Sequence, residues 1–364
     1  MRATFIFKIL FLLSTILFFN SCSSVQTITS GTPQHTFQYH TEPLRRLFGI
    51  KWEFKTEGTA SATTIISDGM LYAGCDNGIL YAIDIETGKE IWKFAAKNKI
   101  SECPVIYKNV AYFGSADSNI YALDCKTGNK IWSVKTMGEV CYPPAILDDK
   151  AYACSHDKNL YIINIHSGEV ITKIQEDFDL CCTPAIEGDI LYYCDWGGNL
   201  YYLNTKTMEK NCILQRNIRT KWFSAPAIMD AIAYFTNNDI FLYAIDTQSG
   251  KVKWRFMADD KISEAPAVTE NFVIFSTVNS HLFVLNKNTG DRIWDFNRQG
   301  EVYSHPAIAR DVVYFGSGDR CLYALNLKTS KVLWQFPTDY RVNTPLIYNQ
   351  LVYFTSGESI FCLE

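Results

Sequence analysis

Residues 104–134 read PVIYKNVAYFGSADSNIYALDCKTGNKIWSV, and this stretch decides the fold. Four short runs rich in β-branched and aromatic residues stand out: Pro104 to Tyr107, Val110 to Gly114, Ile120 to Asp124 and Lys130 to Val134. Such side chains suit a pleated, half-buried surface. Lys108-Asn109, Ala116-Asp117-Ser118 and Thr127-Gly128-Asn129 separate the runs with residues that tolerate tight or left-handed backbone. The stretch therefore predicts four short strands, A to D, joined by turns.

The unit repeats along the chain. Trp52, Trp92, Trp132, Trp254, Trp294 and Trp334 form a ladder of 40-residue steps broken by one gap of 122 residues. Thr172 and Cys212 are degenerate rungs within that gap. A second ladder, Pro104, Pro144, Pro184, Pro226, Pro266 and Pro306, precedes the rungs by 28 residues and continues to Pro345. A four-stranded sheet of this size cannot bury both its faces alone, and radial stacking of such sheets solves the problem. A Trp on the outer strand then wedges between neighbouring blades. The count predicts an all-β, eight-bladed β-propeller of four-stranded antiparallel blades over residues 51–364. The eighth blade starts at Pro345 and lacks its own strand D, whereas Lys51 to Phe54 is a strand D without a blade. The two ends are expected to pair and close the ring, which removes exposed edges.

The flanking segment has a different character. Residues 1–21 combine Arg2 and Lys8 with an apolar run from Ile9 to Phe19, too short to span a bilayer and suited to a signal peptide. Phe19-Asn20-Ser21-Cys22 follows, so Cys22 is the expected lipidation site. Residues 22–50, mostly polar and without period, read as a flexible tether averaging roughly 30 Å end to end. Eight Trp, 21 Tyr and 23 Phe with only 20% charged residues exclude a disordered chain. A formal charge of −4 argues against a general nucleic-acid binder.

Ala82-Ile-Asp84-Ile-Glu-Thr87-Gly88-Lys89-Glu-Ile-Trp92 resembles the A-x-D-x-x-T-G-K-x-x-W pattern of the PQQ-type propeller repeat, with near copies at Ala122 to Trp132 and Ala244 to Trp254. One branch of that family comprises quinoprotein dehydrogenases that bind the quinone cofactor and calcium. Another comprises BamB-type lipoproteins, non-enzymatic partners in outer-membrane β-barrel assembly. The eight-bladed body on a lipidated tether resembles the second. The resemblance implies a non-catalytic scaffold with no cofactor, anchored in the outer membrane on its periplasmic side and contacting the assembly machinery. An envelope recognition module for another protein or a glycan is one alternative, and a PQQ-dependent oxidoreductase the other. Cys181-Cys182 invites the latter, since quinoprotein alcohol dehydrogenases carry a vicinal disulfide over the cofactor. No cluster of acidic and amide residues for calcium is visible in the sequence, and Glu102 and Glu264 fall on opposite sides of the channel.

Cys103, Cys141, Cys181 and Cys182 precede strand A in blades two to four without zinc-type spacing, so no metal is expected. His156 and His281 read as surface turn residues. Loops joining D to A and B to C share one face of a propeller. The D-to-A loop entering blade five is two residues longer than its siblings and carries Arg216, Arg219, Lys221 and Trp222. Trp196, in the B-to-C turn of blade four, is expected beside it. Trp and Arg together are typical of binding hot spots, so these five residues form the expected partner-binding patch.

Overall fold

The computed structural model describes residues 36–180, 182–215, 225–236, 240–262, 264–279, 281–297 and 304–364. Blade two shows how the repeat folds. Val105–Tyr107, Val110–Ser115, Asn119–Asp124 and Lys130–Lys135 pair in that order, each antiparallel to the next. Lys108 and Asn109 take left-handed backbone at the A-to-B turn. The same four-strand order recurs in eight sheets, so the protein is an all-β, eight-bladed propeller. Blade eight is assembled from both ends of the chain: Ile50–Lys55 pairs with Ser359–Leu363, with Trp52 opposite Cys362. Among the described residues no helix is long and apolar enough to cross a membrane.

The core is a series of apolar seams between blades. Strands B and C contribute fully buried Tyr and Phe such as Tyr112, Phe113, Tyr152 and Tyr161. Each Trp rung sits on strand D and reaches into the next blade. The indole N–H groups of Trp52, Trp92, Trp132, Trp254 and Trp294 donate to the carbonyls of Ile85, Cys125, Ile165, Lys287 and Leu327 at 2.7–2.9 Å. The carbonyl is the residue after the acidic or amide residue that ends strand C. The glycine of the repeat motif follows from the same contact. Gly168 has φ +72°, and a Cβ there would lie 2.8 Å from the Trp132 ring. At the two degenerate rungs the indole is missing: Thr172 is exposed. At the four–five seam Ile213 replaces the indole against Gly250, and a cleft of about 320 Å³ lined by Tyr192, Tyr202 and Thr247 opens nearby.

The expected tether differs from the structure over its described part. Residues 36–49 are packed against the ring. Gln38–Tyr39 adds a fifth, parallel strand to the innermost strand of blade seven, Ala307–Ala309. Thr36 O accepts from Val268 N of blade six, and Phe37 stacks on His305 with centroids 4.3 Å apart. Further on, Leu44 is buried, and its carbonyl accepts from both Tyr314 Oη (3.1 Å) and Trp334 Nε1 (2.7 Å). Leu44 thus supplies the acceptor that the next blade supplies to every other paired rung. Arg45 pairs with Asp311 below it. The absence of hydrophobic periodicity in this segment made it look like free coil, but its few apolar side chains enter seams built by other blades.

Candidate protein-binding face and channel mouth

Of the five expected patch residues, only Trp196 lies among the described residues. Arg216, Arg219, Lys221 and Trp222 lie outside them, as do Cys22 and Cys181. Trp196 is held by a rigid turn. Asp195 is fully buried, and its carboxylate accepts from Gly197 N (2.8 Å), Asn199 N (3.0 Å), Asn199 Nδ2 (3.0 Å) and Tyr201 Oη (2.9 Å). The Trp196 amide donates to Asp179 O at 2.9 Å. The indole is half-buried and faces back toward blade three, its centroid 4.8 Å from the His156 ring. The sequence had placed Trp196 beside the loop entering blade five. In the structure the indole packs on His156 of blade three, and the loop entering blade five lies outside the described residues from 216 to 224.

His156 in turn belongs to a cluster absent from the sequence reading. Glu139 and Cys141, in the D-to-A loop entering blade three, meet His156 in that blade's B-to-C turn. The Cys141 Sγ lies 3.7 Å from Glu139 Oε2, and His156 Nδ1 lies 4.0 Å from the same oxygen. Burial lowers the His156 pKa, and burial together with the Glu139 charge pushes the Cys141 thiol up to about 11. His156 Nε2 is buried without a hydrogen-bond partner. Glu139 and Cys141 lie 17 and 15 residues before His156, and the rim shared by a blade's D-to-A and B-to-C loops brings the three together.

The channel mouth holds a second polar group. Glu264 Oε2 lies 3.2 Å from His305 Nε2, and His305 Nδ1 lies 3.2 Å from Ala265 O. Burial lowers His305 to about 4. Burial and the facing charge of Glu102 raise Glu264 to about 8, partly offset by Arg341. Burial raises Glu102 to about 7 against the hydrogen bond from Thr63 Oγ1 (3.0 Å). The pair is consistent as a neutral one: His305 donates through Nδ1 to Ala265 O, and protonated Glu264 donates to Nε2. Although it sits on the opposite side of the ring, the Glu102 charge is near enough to raise the cost of ionising Glu264.

These residues do not fit the calcium of the dehydrogenase branch. Calcium takes six to eight oxygen ligands. Among the described residues the mouth brings Glu264 to His305, with Glu102 on the opposite side, and gathers no set of three ligand side chains there. Cys182, one half of the vicinal pair, is a free buried thiol whose Sγ accepts from Cys194 N at 3.1 Å.

The family described as "Outer membrane protein assembly factor BamB" matches residues 49–176 and 214–362, well over half of the chain. The chain belongs to that family. Among solved structures, BamB from Moraxella catarrhalis aligns with 15% identity and a TM-score of 0.71, over 87% of this chain and 99% of that one. The computationally designed Ika8 protein aligns with 14% identity and a TM-score of 0.74, over 85% and 98%. A europium-containing methanol dehydrogenase aligns with 11% identity and a TM-score of 0.77, over 94% and 98%. At these identities the likeness concerns the fold. A BamB, a designed protein and a dehydrogenase share it, so the fold alone does not decide catalysis. No curated protein matches the chain.

Proposed function

We propose that the protein is a non-catalytic, lipid-anchored envelope scaffold that supports outer-membrane β-barrel assembly through protein contacts, as the family description indicates for BamB. The observation that carries this reading is the family match across the propeller, joined to a Cys22 box upstream of it. The poor fit of the described channel-mouth residues to calcium favours the same branch.

The path of the chain adds an orientation. Gln38–Tyr39 runs parallel to the innermost strand of blade seven, which starts at the rim formed by the D-to-A and B-to-C loops. The segment therefore enters the ring from that rim, so a lipid on Cys22 would tether the protein by the face that bears Trp196. The loop carrying Arg216, Arg219, Lys221 and Trp222 joins strand D of blade four to strand A of blade five and belongs to the same rim by topology. The proposed contact surface thus lies on the tethered side.

A tagged pull-down from detergent-solubilised native membranes tests the reading, with wild type beside an Arg219→Glu/Trp196→Ala double variant. Wild type is expected to recover the barrel-assembly machinery and the double variant to lose it. Recovery of other envelope proteins without that machinery overturns the proposal in favour of a different recognition role.

A further inference from the structure

We propose that Glu139, Cys141 and His156 form a binding site for a zinc-class divalent cation on the rim of blade three. The three ligand atoms lie within 4.8 Å of one another. Zinc bound tetrahedrally at 2.0–2.3 Å holds its ligand atoms roughly 3.3–3.8 Å apart. The Cys141 Sγ to Glu139 Oε2 separation of 3.7 Å already matches, and the His156 Nδ1 to Glu139 Oε2 separation of 4.0 Å is near it. A small side-chain rotation closes the rest. The loops that carry the ligands are fixed to one another, because His156 N donates to Glu139 O at 2.9 Å.

The donor set is chemically selective. Thiolate, imidazole and carboxylate together suit zinc and cobalt, whereas calcium and magnesium take oxygen ligands. Three protein ligands leave a fourth position for water or for a side chain brought by another protein. Glu139 is the exposed member, so that position opens toward solvent at the rim. Trp196 packs on the His156 ring and limits its rotation. His156 Nε2 is buried away from solvent, so Nδ1, which faces Glu139, is the ring nitrogen placed to meet a cation.

The repeat itself argues that the fold does not require these side chains. At the equivalent positions blade two carries Lys99, Ser101 and Ala116, and blade six carries Lys261, Ser263 and Val278. Neither set can bind a metal, yet both blades fold. Only blade three combines Glu, Cys and His. This placement does not depend on the partner proposed above, since the site is complete within one blade.

The test uses the full chain, purified metal-free under reducing conditions, and titrates it with cobalt(II) and then zinc(II). Wild type is expected to bind one cobalt with a thiolate-to-cobalt charge-transfer band, which zinc abolishes by displacement. Cys141→Ser and His156→Ala introduce the residues that blade two already has, so folding, checked by circular dichroism, should be retained. Each should lose the band and weaken zinc binding by at least ~100-fold. Cys212→Ser, far from the site, should behave as wild type. Absence of the band in wild type, or its survival in either ligand variant, overturns the assignment. A pull-down failure would not affect this result, and a cobalt failure would not affect the scaffold reading.

Discussion

Replacing Trp132 by Ala tests whether the rungs hold the ring together. The indole is 8% exposed, donates to Ile165 O at 2.7 Å and packs against Tyr112 with centroids 5.8 Å apart. Losing about 170 Å² of buried apolar surface at ~25 cal/mol/Å² costs about 4 kcal/mol. The orphaned carbonyl adds about 1 kcal/mol, and partial collapse of the seam returns a similar amount. The net loss should be about 4 kcal/mol. For a chain of this length that corresponds to a fall in Tm of about 5 °C. Trp132→Phe keeps most of the area but loses the hydrogen bond, and should cost about 1–2 kcal/mol. Ile131→Ala is the control on the same strand. Ile131 is 50% exposed and should cost less than about 1 kcal/mol. Urea denaturation of the three variants, followed by circular dichroism, measures the differences. Protection of blade-three amides in hydrogen exchange shows whether the seam opens locally. If Trp132→Ala falls within 1 kcal/mol of Ile131→Ala, the rungs do not carry the inter-blade energy and the argument fails.

Two further outcomes follow from the interior of the ring. A chain beginning at residue 50 instead of 36 loses the buried Phe37 and Leu44 and the acceptor of Trp334, and should be at least about 3 kcal/mol less stable; equal Tm values would show that the inner strand is ornamental. Stability should also depend on pH near neutrality. Glu264 rises from 4.5 to about 8 on folding, so the folded state holds the extra proton and its stabilisation is lost as pH rises toward 8. His305, lowered to about 4, acts in the opposite sense only below its ordinary value of 6.5. Between pH 6.5 and 8 the protein should therefore lose stability with rising pH, and Glu264→Gln should flatten that slope. A slope that is unchanged in the variant would sink the assignment.

The propeller was legible because its determinants are large and periodic. Trp132 and Pro104 each recur in register, and the turn residues Asp124, Thr127 and Gly128 recur with them. The closing strand was legible for the same reason, since Lys51 to Phe54 copies a strand D. What the sequence hid depends on single residues whose neighbours come from elsewhere. Gln38 and Tyr39 form a strand only because blade seven offers a free inner edge. Glu139, Cys141 and His156 are joined by two loops that converge after the blade has folded. Trp196 stands off the Trp ladder in the sequence, but the ring it packs on, His156, belongs to the neighbouring blade. The basic residues of the longer loop lie outside the described residues, so the patch rests on Trp196 and on topology.

The segment from residue 36 to residue 55 touches blades six, seven and eight, and Lys55 faces Ser359 across the closing sheet. These residues leave the ribosome early, while their partners are made about 300 residues later. The entropy of joining such distant positions grows only logarithmically and does not threaten the final stability. It does slow the pairing, because long-range strand contacts form late. The order of synthesis therefore makes completion of the ring a single late event. A nascent chain can stack its first blades, but the Ile50–Lys55 strand of blade eight keeps an open edge until its partner Ser359–Leu363 arrives. Any product cut short before residue 359 would keep that edge permanently exposed. An open strand edge invites pairing with other chains, so the latch that stabilises the finished ring also distinguishes full-length molecules from incomplete ones.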